Sequence, residues 1–355
     1  MKILFVKLGA IGDIVHALPA LAVARRAYPE AVIDWVAEER SAEILRGNPF
    51  IDELIEVNTR SIRETRSPEK LLIEIWRQAG SLRTRGYDIA IDLQGLLKSA
   101  TIAKISGAQR RVGFEKTNLR EPAARLMYTE KVAVPLGINV IDKNLALVRS
   151  ALGIESANDD YDFPIHTGAE HRLEADAIAA KTGGRFAVLN PAGGWVTKLW
   201  SAENYGKLAE RLWNECGIAS IVATGPGESE LADRVRETAG NANVTLAEPS
   251  LKGFFELVRR AAVYVGGDTG PTHIAVAAGA PVVGIFGPTE WWRNGSPRAE
   301  DINVGREDIG CRVDCHRRTC SNWICMDISV EAVLDAACRR IEVAERAASK
   351  QEAAA

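Results

Sequence analysis

The chain has 355 residues, 46% hydrophobic and 26% charged, with a formal net charge of −3. That balance belongs to a soluble globular protein with length enough for two domains, each burying its own core. The slight acidity argues against general nucleic-acid binding, and Lys7, Asp13 and Arg25 interrupt any apolar leader.

Lys2 to Val6 reads as a short buried strand, and Lys7 to Asp13, with Gly9 and Gly12, turns the backbone. Ile14 to Arg26 resumes at helical spacing, with Ile14, Leu18, Leu21 and Ala22 on one face. Strand, glycine turn and helix bring backbone to the carboxyl edge of an α/β sheet, where such sheets bind ligands. Asp13 stands at that edge. It fits a helix N-cap and it fits a general base held by a strand end; the stretch alone favours the cap, the commoner use of Asp before an apolar helix.

Residues 31–36 and 49–57 read as the next strands, a βαβ rhythm that implies a parallel sheet. Arg60, Arg63, Arg66 and Lys70 then precede a helix carrying Leu71, Leu72, Ile75 and Trp76. This charge run is either a solvated face or an anion-binding edge. The strand beginning at Tyr87 runs into a turn at Gly95 and places Asp92 and Gln94 on the same edge as Asp13. Arg110 to Phe114 is a further strand, Arg120 falls in an irregular stretch, and a helix from Asp142 to Gly153 closes the half. Residues 155–168 read as a polar linker; its Asp160-Tyr-Asp162 lacks the preceding strand that a nucleotide–metal pair needs. The domains are therefore expected at 1–160 and 161–345, with 346–355 a flexible tail.

The second half repeats the pattern, with strands at 185–190, 218–224, 263–265 and 281–286, each ending in a glycine turn. The longest apolar run, 274–286, contains Pro281 and is too short to span a bilayer. The turn from Gly193 to Lys198 brings backbone N–H groups, the Thr197 hydroxyl and the Lys198 ammonium together in a set suited to a diphosphate. Glu228 suits the two hydroxyls of a ribose, or simply the first turn of a helix. In Gly266-Gly-Asp268-Thr269-Gly270-Pro-Thr272-His273, Pro271 fits a first helical turn, so Thr269 and Gly270 would offer donors to an anion. His273 would lie inside that helix, where a structural hydrogen bond is as good a reading as a ligand contact. Cys311, Cys315, Cys320 and Cys325 crowd into fifteen residues, whereas Cys216 and Cys338 stand apart.

The stretch Val6 to Leu21, with Asp92-Leu-Gln94-Gly95-Leu-Leu-Lys98-Ser99 and Asp268-Thr-Gly270-Pro-Thr-His273, resembles glycosyltransferase family 9 over roughly residues 1 to 305. Within that family the chain is most similar to the lipopolysaccharide heptosyltransferases, those of type I above all, since Arg120-Glu-Pro122 also matches. The resemblance implies a GT-B fold, two Rossmann-like αβα domains with the active site in the interdomain cleft. It implies inverting, metal-independent transfer of heptose from ADP-L-glycero-D-manno-heptose to Kdo of the lipid A inner core. The enzyme would be cytoplasmic, touching the inner face of the inner membrane transiently and peripherally, with an ADP-sugar donor, no required cofactor and no nucleic-acid partner. Asp13 is then the catalytic base, with Lys7 close to the chemistry. Gly12, Gly193, Thr197, Lys198 and Glu228 fall to the donor, as do Asp268, Thr269, Gly270, Thr272 and His273. Arg60, Arg63, Arg120 and Gln94 fall to the anionic acceptor.

Two features depart from the type I pattern. The 193–198 turn has Gly193, Gly194 and Trp195 where hydroxyl residues are expected, and the Cys311–Cys325 cluster is an addition. Its spacings are not those of a paired Cys-x2-Cys zinc site, so a structural metal, free thiols and a redox disulfide all stay open. Three other functions compete: a family 9 transferase with another acceptor (type II-like, another glycan or a protein), a Rossmann oxidoreductase and a non-catalytic sugar-nucleotide binder. The oxidoreductase is disfavoured because no Gly-x-Gly-x-x-Gly follows the first strand.

Overall fold

The computed structural model describes residues 1–58, 73, 76–77, 80–155, 161–311, 315 and 317–354. Arg60 and Arg63, together with Asp160 and His316, lie outside the described residues. The chain divides into two compact units, Met1–His166 and Thr167–Ala355.

The first unit is a six-stranded parallel sheet built from β1 (Lys2–Val6), β2 (Val32–Glu38), β3 (Glu53–Val57), β4 (Ile89–Asp92), β5 (Arg110–Phe114) and β6 (Glu130–Val132). The strand order is β3-β2-β1-β4-β5-β6. β1 sits at the centre, paired with β2 through Phe5 opposite Trp35 and with β4 through Val6 opposite Asp92. Ile3, Leu4, Phe5 and Val6 are all fully buried, as expected for a central parallel strand covered on both faces.

The helix expected over Ile14–Arg26 is two helices, Ile11–Val15 and Leu18–Ala27. Pro19 lies in the first turn of the second, the one place where its missing N–H interrupts no helical bond. The helix Val140–Leu152 starts at Asn139, whose side chain accepts from Ile141 N–H, and stops at Gly153 in the left-handed conformation.

The second unit repeats the design with β7 (Phe186–Asn190), β8 (Ala219–Ala223), β9 (Val244–Ala247), β10 (Val263–Gly267), β11 (Val282–Ile285) and β12 (Ile302–Val304). The order β12-β11-β10-β7-β8-β9 is the same winding, with β7 in the place of β1 and β10 in that of β4. Ala187, Leu189, Val222, Val265 and Val283 on the sheet pack with Leu208 and Leu212 of helix Ala202–Cys216 and with Val333, Leu334 and Ala337 of the closing helix. That closing helix runs Val330–Ala354, into the 346–355 stretch expected as a flexible tail. No helix among the described residues is long and apolar enough to cross a membrane.

Candidate functional site

In each unit the strand order reverses between the first and fourth strands, and the loops leaving those two strands flank the crevice that doubly wound sheets use for ligands.

In the first unit these loops are 7–10, after β1, and 93–96, after β4. Lys7 is buried, and its Nζ donates to the carbonyl of Leu93 across the switch point at 2.9 Å. Burial pushes the Lys7 pKa below the ordinary lysine value, against the opposing pull of the Asp13 and Asp92 carboxylates. Gln94 Oε1 accepts from the N–H groups of Leu8 (3.1 Å) and Gly9 (3.4 Å), closing the same seam from the other side. Gly9 has φ +145°, and a Cβ there would meet Ser41 Oγ at 2.7 Å, so the loop can pass only as glycine. Gln94, expected among acceptor residues, thus has its side-chain oxygen turned to this backbone. Gln94→Ala would leave both N–H groups without their acceptor; a stability loss of about 1–3 kcal/mol is expected from denaturant unfolding.

Asp13 is not the N-cap. Ala10 holds that position, and Asp13 sits three residues on, half-buried, where its Oδ2 accepts from the Ala10 N–H at 3.0 Å. This is the return bond of a capping box, which fixes the carboxylate while leaving its second oxygen available. Gly12, beside it, is buried. Asp92 is fully buried and accepts from the N–H groups of Gln94 (2.9 Å) and Gly95 (3.1 Å), from Ser99 Oγ (2.8 Å) and from Tyr128 OH (2.7 Å). Burial raises its pKa, with those bonds pulling the other way. Asp92 therefore shapes the turn that presents Gln94. Arg120 is exposed and takes no partner among the described residues.

The second unit builds its crevice the same way. Lys198, from the loop after β7, donates across the switch point to Asp268 Oδ2 at 2.6 Å and to the Asp268 carbonyl at 3.2 Å. Its ammonium also lies 4.4 Å from the centroid of the Trp195 ring. Asp268 is 6% exposed and also accepts from Thr289 Oγ1 (2.7 Å) and Asn294 Nδ2 (3.4 Å), while its Oδ1 is 3.3 Å from His273 Nε2. Burial alone would raise the Asp268 pKa; His273 and Lys198 outweigh it and hold the carboxyl far below the usual range. Asp268 was expected to take sugar hydroxyls. Oδ2 is taken by Lys198, Thr289 and Asn294, whereas Oδ1, beside His273, keeps acceptor capacity for a hydroxyl, so the carboxylate positions Lys198 and His273 without giving up that role.

Helix Gly270–Ala277 begins at Thr269 with Pro271 in its first turn, leaving the Thr269 and Gly270 amides at the positive helix end. Thr272 is fully buried; its hydroxyl reaches the Gly267 carbonyl and lies 2.9 Å from Tyr264 OH, so it holds the end of β10 and presents no free donor. At Gly193 a Cβ would lie 3.0 Å from a Leu199 methyl and 3.2 Å from the Thr269 methyl, so those side chains would have to give by a few tenths of an ångström. Glu228 is half-buried at the head of helix Ser229–Thr238 and accepts from Gly225 N–H at 2.8 Å. Sequence reasoning missed Thr289, whose only signal was the Gly287-Pro288-Thr289 turn, and Asn190, whose buried Oδ1 has no hydrogen-bond partner at the tip of β7.

Thr197 does not converge with Lys198. Its hydroxyl donates to the Arg317 carbonyl at 2.6 Å, and its carbonyl accepts from Trp323 Nε1 at 2.9 Å. The Lys198 turn is thereby fastened to the cysteine-rich segment. Cys311, Cys315, Cys320 and Cys325 line one cavity of about 420 Å³ with Thr197 and Trp323. Cys320 accepts from Trp323 N–H, and the backbone N–H groups of Trp323 and Asn322 lower its pKa, whereas burial raises that of Cys325. Among the described residues, no three His, Cys, Asp or Glu side chains are grouped to hold a metal ion. Asp162, of the Asp-x-Asp pair, bonds to Arg26 at 3.2 Å.

The likenesses of the chain agree with this arrangement. The family model of glycosyltransferase family 9 (heptosyltransferase) matches residues 75–323. Lipopolysaccharide heptosyltransferase 1 of Pseudomonas aeruginosa is 32% identical over 323 residues, covering 90% of this chain and 88% of the relative. E. coli heptosyltransferase WaaC, solved with ADP and with ADP-2-deoxy-2-fluoro heptose, superposes with a TM-score of 0.72 at 28% identity, over 86% of this chain and 93% of that one. A family 9 glycosyl transferase of Veillonella parvula shares the fold, with a TM-score of 0.80 at 21% identity over 96% of this chain and 97% of its own. Two Rossmann-like units in the GT-B manner, each with a lysine bridging its switch point, and a family match over most of the length lead to one assignment: the chain belongs to glycosyltransferase family 9 (heptosyltransferase) and is a glycosyltransferase.

Proposed function

We propose that the enzyme moves heptose from ADP-L-glycero-D-manno-heptose to Kdo of the lipid A inner core, by an inverting, metal-independent displacement. The observation that carries this reading is the 32% identity to a lipopolysaccharide heptosyltransferase 1 across 90% of the chain. The relative solved with a fluorinated ADP-heptose supports the donor.

Asp13 takes the proton of the acceptor hydroxyl while that oxygen attacks the anomeric carbon and the bond to ADP breaks. The Ala10 N–H aims the carboxylate, and Lys7 lies within electrostatic reach of it. As charge builds on the departing diphosphate, Lys198 and the amides at the start of helix Gly270–Ala277 receive it, which is the work a metal does elsewhere. Lys198 keeps Asp268 as its anchor while it turns a remaining N–H to phosphate. Glu228 meets the ribose hydroxyls. Arg120 contributes positive charge to the anionic acceptor, with Arg60 and Arg63 assigned there from sequence. Leu126, 74% exposed a few residues from Arg120, suits peripheral contact with the inner face of the inner membrane by a cytoplasmic enzyme.

Thermal-shift titration with ADP, GDP and NAD separates the donor classes. A rise in melting temperature with ADP, larger than with GDP and absent with NAD, is expected; stabilisation by NAD but not ADP would overturn the reading.

A further inference from the structure

Cys216 and Cys338, 122 residues apart, have their sulfurs in contact at 3.4 Å. Cys216 ends helix Ala202–Cys216, just before Gly217 in the left-handed conformation, and Cys338 lies on the closing helix Val330–Ala354. Both are half-buried against the same apolar core. The two helices are registered by Leu212, Val333, Leu334 and Ala337 in that core, and at the surface by the ion pair of Arg211 with Glu331. Closing to a bonded sulfur distance needs an approach of only about 1.4 Å, within the reach of side-chain torsion changes. We propose that Cys216 and Cys338 form a redox-sensitive dithiol, which a peroxide oxidises to a disulfide stapling the closing helix to helix Ala202–Cys216.

The step balances. The Cys216 sulfur attacks one peroxide oxygen as its thiol gives up a proton; the O–O bond breaks, the sulfur becomes a sulfenic acid, and the leaving hydroxide takes up that proton and departs as water. Cys338 sulfur then attacks that sulfenic sulfur, the S–S bond forms, the S–O bond breaks, and the Cys338 proton leaves with the oxygen as a second water. Two thiols are oxidised and one peroxide is reduced. The same disulfide and the same two waters result whichever sulfur is oxidised first; burial and the contact with Cys216 raise the Cys338 pKa. The crosslink would enclose the Glu228 turn, Asp268 and helix Gly270–Ala277, restricting the unfolded chain over most of the second unit.

The test uses the full-length protein, reduced and then treated with hydrogen peroxide. Cleavage after Arg and Glu separates Cys216 (peptide 216–228) and Cys338 (peptide 332–339) from Cys320 and Cys325. Mass spectrometry should find the two peptides disulfide-linked, and a thiol reductant should release them. The oxidised protein should melt about 5 °C or more above the reduced form, and this rise should vanish in Cys216→Ser and in Cys338→Ala. Oxidation of Cys320 with no 216–338 link in the same sample would overturn the proposal. So would a melting rise that persists in both variants.

Discussion

Asp13→Asn is expected to lower kcat of heptosyl transfer by a factor of about 10²–10⁴, while ADP binds nearly as it does to the wild type. The change removes a proton acceptor and keeps the size and much of the hydrogen bonding of the side chain. The amide oxygen can still accept from Ala10 N–H, so the short helix Ile11–Val15 should persist. Steady-state transfer kinetics alongside calorimetric ADP titration would separate the two effects. Turnover within a few-fold of wild type would remove Asp13 as the base and return it to a helix-stabilising role. A loss confined to ADP affinity would place it on the donor instead.

Asp268→Ala is expected to have the largest effect on stability. The carboxylate is buried between Lys198 and His273, and its removal leaves the Lys198 ammonium without its counter-charge; breaking such a pair costs about 3–5 kcal/mol. The pH dependence has a definite sign. The folded-state pKa of Asp268 is depressed, so its contribution is fully present above the unfolded-state value of about 3.9 and is lost as pH falls through that value toward the lower folded one. Wild-type stability should therefore drop on acidification in this window, and the variant should show a flatter acid limb in urea unfolding. Equal acid limbs in the two proteins would show that the pair contributes nothing net. Donor affinity should fall as well, because Lys198 loses the residue that holds it at the switch point.

Much of this architecture was legible before any coordinates. Central strands announce themselves by apolar runs, and β1 and the cores of β2, β4, β7, β8, β10 and β11 fell where those runs lie; β5 lies at Arg110–Phe114 as expected, although it opens on two arginines. The edge strands β6, β9 and β12 went unread because they are three or four residues long and half-exposed, so neither apolar run nor alternation marks them. The expected single helix after β1 breaks at His16 and Ala17, so that Pro19 falls in the first turn of a new helix rather than in a helix interior. Position at a strand end was also readable, which is why Asp13, Gln94, Lys198 and Asp268 were singled out together.

What the sequence could not carry was the direction of each side chain. Asp92 and Thr272 look equivalent in sequence to ligand-facing residues, yet both are sealed by Tyr128 and Tyr264 respectively. Thr197 and Lys198 are neighbours that diverge, one to the cysteine-rich segment and one to Asp268. Cys216 and Cys338 seemed solitary because their meeting depends on two helices crossing after more than a hundred intervening residues. Local pattern reports which residues reach the carboxyl edge; long-range packing decides which of them remain open to a substrate.

The decisive assay incubates the purified enzyme with ADP-L-glycero-D-manno-heptose and a Kdo-terminated lipid A acceptor in the presence of a chelator. The expected result is acceptor carrying one added heptose, ADP released in equal amount, and an anomeric configuration in the product opposite to that of the donor. No heptosylated acceptor from a preparation that binds ADP, transfer that stops on chelation, or retained configuration would contradict it.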